Sequence, residues 1–139
     1  RRMTGLTIGA AAKASGVSAK MIRYYESIGL VPKAARSGGN YRCYGEADLH
    51  RLRFIRRARD LGYAIEDIER LLALWQDRHR KSAEVKRIAL AHAAALRGKI
   101  AELEAMLRTI EHLAAHCRGD HRPDCPIMDD LAGRVPLKA

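Results

Sequence analysis

The segment from Ser82 to Cys117 constrains the fold of this chain more than any other, because it contains no proline and a single glycine, Gly98. As one α-helix it would be roughly 52 Å long, too long to pack along a monomer of 139 residues. Heptad repeats of apolar residues are typical of a coiled coil. No second helix of matching length is available for an intramolecular bundle, so the pattern predicts a homodimer. The residues that repeat form two series, Leu96, Leu103, Ile110 and Cys117, and Ile100, Leu107 and Ala114.

The net charge of +10 is concentrated in the first half of the chain. Residues 1–63 carry 13 Lys and Arg against 4 Asp and Glu, whereas residues 64–139 carry 13 against 12. This asymmetry favours a polyanion-binding module followed by a segment with a separate task. The chain has no run of about 18 apolar residues that could span a membrane, and no apolar signal segment follows its first arginines. We therefore expect a cytoplasmic protein.

Residues 6–30 predict two short helices around a tight turn, the arrangement of a helix-turn-helix. Thr7 and Ser18 can cap the two helices, and Gly16 supplies the conformation that the turn requires. In a helix-turn-helix the second helix presents cations and polar groups to phosphates and base edges. The side chains expected to point outward from it are Lys20, Arg23, Tyr24 and Tyr25.

Residues 36–45 predict a small hairpin, because Gly38, Gly39 and Asn40 form a turn between short flanks. Tyr41, Arg42 and Tyr44 would lie on this hairpin, which would act as a wing that grips the DNA backbone. Residues 46–75 then predict two amphipathic helices broken at Gly62, with arginines 51, 53, 56, 57 and 59 mostly outward. Taken with the wing and the second helix, these arginines favour a DNA-binding surface over an ordinary solvated face.

Two of the three cysteines, Cys117 and Cys125, lie on one short loop with seven residues between them. In a reducing cytoplasm such a pair is more often metal-binding or redox-active than structural. Three chemistries remain open: a redox-switching disulfide, a divalent zinc-type site that includes histidines 112, 116 and 121, and a monovalent Cu(I) site. Cu(I) is soft and accepts two thiolates, which a linear site would hold roughly 4.6 Å apart. The third cysteine, Cys43, lies in the predicted wing and is expected to be incidental.

Three segments of the sequence resemble the MerR family of transcriptional regulators: "TIGAAAKASGVSAKMIRYYESIGLVP", "GNYRCYGEADLHRLRFIRRARDLG" and the helix after them. The resemblance covers residues 6–131. It implies a winged-helix DNA-binding domain and a homodimer with antiparallel long helices. It also implies that an effector distorts promoter DNA with an overlong spacer, which brings the RNA polymerase contacts into register.

The spacing of Cys117-RGDHRPD-Cys125-PI resembles the copper-responsive, CueR-type subgroup of that family. This resemblance implies Cu(I), Ag(I) or Au(I) as effector, with Cys117 and Cys125 as ligands. Zinc sensors of the family carry a further cysteine where this chain has Ser82, which implies that Ser82 selects monovalent ions. Antiparallel helices would bring the helix start at Ser82, together with Lys86, to the partner's loop, where their positive charge would balance the net −1 of two thiolates and a monocation. This loop is more basic than the subgroup's, with Arg118, His121 and Arg122.

These observations predict a mainly α fold: a winged helix-turn-helix DNA-binding domain with two connecting helices (1–79), a coiled-coil dimerisation helix (80–117), and a metal-binding loop with a short helix and tail (118–139). The partners expected are double-stranded promoter DNA, a second copy of the chain, and RNA polymerase indirectly through the promoter. No catalytic constellation is present, so an enzyme is not expected, and the alternatives kept are a divalent metal sensor and a copper-buffering protein. The residues expected to hold DNA are Ser18, Lys20, Arg23, Tyr24, Arg36, Tyr41, Arg42 and Arg59.

Overall fold

The computed structural model describes residues 5–36, 42–117, 119 and 125–133, with only the backbone of Ala35, Arg36 and Arg42. Helices dominate these residues, and the only strands among them are two of two residues each, so the predicted mainly α class is confirmed. The elements in chain order are α1 (Ile8–Ser15), α2 (Ala19–Ser27), β1 (Ala35–Arg36), β2 (Arg42–Cys43), α3 (Glu46–Asp60), α4 (Ile65–Gln76), α5 (Ser82–Ala115) and α6 (Pro126–Leu131).

The first two helices form the predicted helix-turn-helix, and local hydrogen bonds set its limits. The Thr7 hydroxyl accepts from the backbone N–H of Ala10 at 3.1 Å, and the Ser18 hydroxyl accepts from that of Met21 at 3.1 Å. Each cap satisfies a backbone donor that the first turn of a helix leaves unpaired. Gly16 ends α1 with a φ of 80°, a conformation that costs glycine little. Both predicted caps and the predicted turn are confirmed.

The strands form a small antiparallel pair that is anchored to the start of the chain. Ala35 pairs with Cys43, and Arg36 pairs with Arg42. Immediately after β2, the backbone of Tyr44 exchanges two hydrogen bonds of 2.8 Å with that of Leu6. The strand pair is thereby tied to the residues that precede the helix-turn-helix.

Two further helices, α3 and α4, complete the core of the first part of the chain. They are separated at Gly62, which has a φ of 86°, as the sequence predicted. Helix α1 contacts α2 and α3, and α3 contacts α4. The buried cluster that joins them consists of Ala11, Val17, Ile22, Tyr25, Leu30, Val31, Tyr44, Leu52, Ile55, Ala58, Ile68 and Leu72.

The chain divides into two compact units, residues 1–88 and 89–139. Helix α5 is one uninterrupted element of 34 residues that begins in the first unit and continues into the second. In the second unit it ends at Ala115, and α6 follows with Pro126 in its first turn, where a missing N–H costs nothing. Among the described helices, none is both long and apolar enough to cross a membrane.

Candidate functional site

Helix α2 presents a polar and aromatic face away from the core. Ile22 is fully buried, whereas Lys20 and Arg23 are exposed and Tyr24 is 48% exposed. Ser18 stands at the N-terminal end of the same helix as its cap. Its hydroxyl oxygen is used for capping, while its O–H remains a possible donor. These four residues therefore place two cations, an aromatic ring and a hydroxyl on the exposed side of α2 and at its start.

Two tyrosines that the sequence placed outward are instead part of the core. Tyr25 is 4% exposed and Tyr44 is 2% exposed. Tyr25 follows the buried Ile22 by three positions and so shares its helical face. The Tyr44 hydroxyl donates a 2.8 Å hydrogen bond to the Glu26 carboxylate, which is itself buried. The prediction that Tyr25 points outward is therefore wrong, and Tyr44, which was expected on the wing, is a core residue.

The remaining wing residues are described only in part. The backbones of Arg36 and Arg42 lie opposite each other in the strand pair. The predicted turn and Tyr41 lie outside the described residues. Cys43 is half-buried and packs against Gly5, where a larger residue would collide with its sulfur.

The arginines of α3 divide into two exposed groups and one partly buried residue. Arg59 lines a cleft of about 500 Å³ together with Tyr24 of α2. Arg51 is only partly exposed, so the prediction of an outward side chain does not extend to it. A second cleft, of about 350 Å³, adjoins the turn at Gly16. Its cationic lining comprises Lys13, Arg53, Arg56 and Arg57, of which Lys13 carried no sequence signal beyond its charge.

The two loop cysteines of the second unit are brought together. Cys117 follows the last turn of α5, and Cys125 is the residue before α6. Their sulfur atoms lie 3.3 Å apart, within hydrogen-bonding distance of each other. Both are free thiols and both are half-buried. The loop thus holds two soft donors within reach of a single ion.

The surroundings of Cys125 favour its thiolate form. The backbone N–H of Met128 lowers the pKa of the Cys125 thiol below its ordinary value, and the Cys117 thiol and the N–H of Ile127 act in the same direction. Burial and the negative charge of Asp129 oppose this shift. Because thiolates rather than thiols bind metals, the shift increases the fraction of Cys125 that is in a metal-binding form.

The described residues contain no group of three or more His, Cys, Asp or Glu side chains arranged to hold a metal ion. His112 and His116 lie near the C-terminal end of α5. His121 lies outside the described residues. Ser82 is the first residue of α5 rather than the capping residue before it, and both it and Lys86 are exposed. Among the described residues, the candidate metal site therefore consists of the two thiols of Cys117 and Cys125.

Comparison with known proteins gives two family models that together cover most of the chain. Residues 6–75 match the model described as MerR HTH family regulatory protein, and residues 49–113 match the model described as MerR, DNA binding. The second match extends over α3 and α4 into α5. Both the helix-turn-helix and almost all of the long helix α5 lie within these matches.

Individual proteins agree with this assignment. The HTH-type transcriptional regulator HmrR of Sinorhizobium medicae is 59% identical over 91% of this chain and 86% of its own length. The heavy metal-dependent transcription regulator 2 of Rhizobium meliloti is 58% identical over the same shares. The HTH-type transcriptional regulator CueR of Salmonella typhimurium is 39% identical over 96% of this chain and 97% of its own length.

A solved structure has the same fold. The transcription regulator PbrR691 from Ralstonia metallidurans, crystallised in complex with lead(II), superposes with a TM-score of 0.78 at 36% identity, covering 91% of this chain and 98% of its own. The chain belongs to the MerR family of helix-turn-helix regulators, proteins that bind promoter DNA to control transcription and are not enzymes.

Proposed function

We propose that this protein is a CueR-type transcriptional activator that senses a monovalent coinage-metal ion, Cu(I), Ag(I) or Au(I), through Cys117 and Cys125. The names of the relatives that are 58% and 57% identical describe heavy metal-dependent regulators, which supports a heavy-metal effector. The choice of a monovalent ion rests on the loop itself.

The observation that carries this proposal is the 3.3 Å separation of the two sulfur atoms. Linear coordination with metal–sulfur bonds of about 2.3 Å places the sulfurs about 4.6 Å apart, so the pair would need to open by about 1.3 Å. Both cysteines lie outside the helices, Cys117 after α5 and Cys125 before α6, so such a change requires no break in either helix. A soft ion that accepts two thiolates fits this donor set.

Charge distinguishes a monovalent from a divalent ion at the same pair. Two thiolates leave a net charge of −1 with a monocation and zero with a dication. In an antiparallel dimer, the start of α5 in the partner subunit would supply the compensating positive end of a helix together with Lys86. Ser82 would stand there in place of a third thiolate, leaving a divalent soft ion with too few ligands.

The exposed apolar residues of α5 support the dimer on which this arrangement depends. Within the second unit Leu96 is 39% exposed, Leu103 61% and Ile110 61%. Ile100 and Leu107, of the other heptad series, are each 54% exposed. A row of large apolar side chains that the single chain leaves in water is the expected face of a two-helix coiled coil.

On the DNA side, we propose that phosphates and bases are held by Ser18, Lys20, Arg23, Tyr24, Arg36, Tyr41, Arg42 and Arg59. The cations beside Gly16, which include Lys13 and Arg56, extend this positive surface. The domains are those inferred from the sequence, 1–79, 80–117 and 118–139. Metal binding would change the shape of bound promoter DNA more than the affinity for it, and RNA polymerase would respond to that shape.

A second candidate is a divalent sensor of the same family. It is favoured by the 36% identical PbrR691, which was crystallised with lead(II). The two candidates differ in coordination: a monovalent ion would be bound by two sulfurs alone, and a divalent ion by a larger shell that includes nitrogen or oxygen.

X-ray absorption of the reduced, Cu(I)-loaded dimer distinguishes these candidates. We expect one Cu(I) per subunit with two sulfur neighbours and nothing else. Transcription from a palindromic promoter should rise with Cu(I), fail to rise in Cys117→Ser, and rise normally in the matched control Cys43→Ser. A four-ligand shell containing nitrogen, or activation that survives Cys117→Ser, would contradict the proposal.

The selectivity argument has its own test at the helix start. Ser82→Cys supplies a third thiolate, so we expect the variant to activate transcription with Zn(II) while the parent protein does not. If Ser82→Cys remains silent with zinc, the charge and ligand-count explanation is wrong even where the Cu(I) site stands.

A further inference from the structure

Two histidines lie one helical turn apart near the end of α5 in the second unit. The rings of His112 and His116 are 4.2 Å apart between centroids and inclined at 45°. Both side chains are exposed. Spacing of four residues places both rings on the same face of the helix, where both can contact one ion.

The hydrogen bonding of His116 fixes which of its nitrogens is available. Its Nδ1 lies 2.8 Å from the backbone carbonyl oxygen of His112. A carbonyl oxygen only accepts, so Nδ1 must carry the proton and donate it. In the neutral ring this leaves Nε2 with a lone pair directed outward. Metal-ligating histidines are held in the same way, with the second ring nitrogen donating to a carbonyl or carboxylate.

The position of the pair also favours a cation. Both rings lie in the last turn of α5 or just beyond it, where the unpaired carbonyl groups make the helix end electronegative. Imidazole nitrogens prefer borderline divalent ions such as Zn(II), Ni(II) and Cu(II) over Cu(I), for which thiolates are preferred. Within the described residues no third donor joins them, so water would complete the coordination shell.

We propose that His112 and His116 form a second metal site on each subunit, which binds a borderline divalent ion through two imidazole nitrogens and water. It is separate from the thiol pair, although His116 directly precedes Cys117 in the chain. Divalent ions would occupy this site without entering the thiol pair. Binding of a divalent ion to the protein would then be no evidence that it acts as the transcriptional effector.

Titration of the protein with Ni(II), monitored by calorimetry, tests this proposal. Ni(II) is chosen because it does not oxidise thiols as Cu(II) does. The protein would be the full chain carrying Cys117→Ser and Cys125→Ser, which removes the thiol pair. We expect one Ni(II) per subunit, with loss of that binding step in His112→Asn and also in His116→Asn. The matched control is His92→Asn, earlier on the same helix, which should retain it.

A second titration avoids dependence on the cysteine variants. In the otherwise unaltered protein loaded with Ag(I), one Ni(II) per subunit should still bind, and His116→Asn should abolish it while silver remains bound. Nickel binding that survives His116→Asn, that is equally lost in His92→Asn, or that is absent from both preparations would overturn the proposal. None of these results alters the assignment of the thiols, which the Cu(I) experiment addresses.

Discussion

At the scale of single residues, the two loop thiols differ in their surroundings although their sulfurs are 3.3 Å apart. Cys125 faces the backbone N–H groups of Met128 and Ile127, which lower the pKa of its thiol. A lower pKa means that a larger fraction is thiolate at any given pH. Cys125 is therefore thiolate at a lower pH than a cysteine of ordinary pKa would be.

This difference predicts the pH dependence of alkylation in the reduced, metal-free protein. The pKa of Cys125 is lowered in the folded chain, so its thiolate forms at a lower pH there than in the unfolded chain. The rate of iodoacetamide modification at Cys125, mapped by mass spectrometry, should rise through a midpoint at lower pH in native than in denatured protein. Cys43 in the same digests controls for reagent activity, and equal or reversed midpoints at Cys125 would contradict the prediction.

Residue types alone could not separate surface tyrosines from core tyrosines. Tyr24 and Tyr25 are adjacent and chemically identical, yet Tyr24 is 48% exposed and Tyr25 4%. The three-residue spacing from Ile22 to Tyr25 carried that information. The burial of Tyr44 depends on Glu26, a partner 18 positions away, and no local pattern reveals such a contact.

At the scale of elements, the helix-turn-helix was predictable because its limits are set by local chemistry. Thr7 and Ser18 cap helices whose unpaired N–H groups lie three residues further on. Glycine at position 16 adopts the positive φ that ends α1. The loop was less predictable, since the approach of Cys125 to Cys117 depends on the path of the chain between α5 and α6.

The two caps allow stability to be separated from DNA binding. We expect Thr7→Ala and Ser18→Ala each to lower the free energy of unfolding by about 1 kcal/mol, because each removes one capping hydrogen bond. Chemical denaturation measures this loss. Only Ser18→Ala should also weaken operator binding under conditions where both variants are folded, because Ser18 lies at the end of the exposed α2. Equal operator affinities for the two variants would remove Ser18 from the DNA interface.

At the scale of the whole molecule, the basic residues and the exposed apolar residues are concentrated in different parts of the chain. Basic residues predominate in residues 1–63, which contain the helix-turn-helix. Exposed large apolar residues recur along α5 in the second unit, from Leu90 to Ile110. The absence of proline between Ser82 and Cys117 made the length of α5 predictable, and the heptad spacing predicted its row of apolar residues. The repeat does not show whether two such helices would pair parallel or antiparallel; the antiparallel orientation is implied only by the family resemblance.

The proposed dimer predicts the outcome of placing one charge on the row of exposed apolar residues of α5. Leu103→Glu would bury a carboxylate between the two α5 helices. We therefore expect the variant to be monomeric at concentrations where the parent protein is dimeric, and sedimentation velocity measures this difference. Thr109→Glu adds the same charge on the same exposed helix but outside both heptad series, and should leave the dimer intact. A dimeric Leu103→Glu variant would exclude this seam.

The hydrogen bond between Tyr44 and Glu26 has a consequence for how the operator is encountered. It connects the end of the strand pair to α2, while the backbone of Tyr44 is hydrogen-bonded to that of Leu6. These hydrogen bonds hold the strand pair, α2 and the start of the described chain together before any duplex is bound. Less ordering is left for the moment of association, and the proposed change of DNA shape on metal binding would require movement outside these contacts.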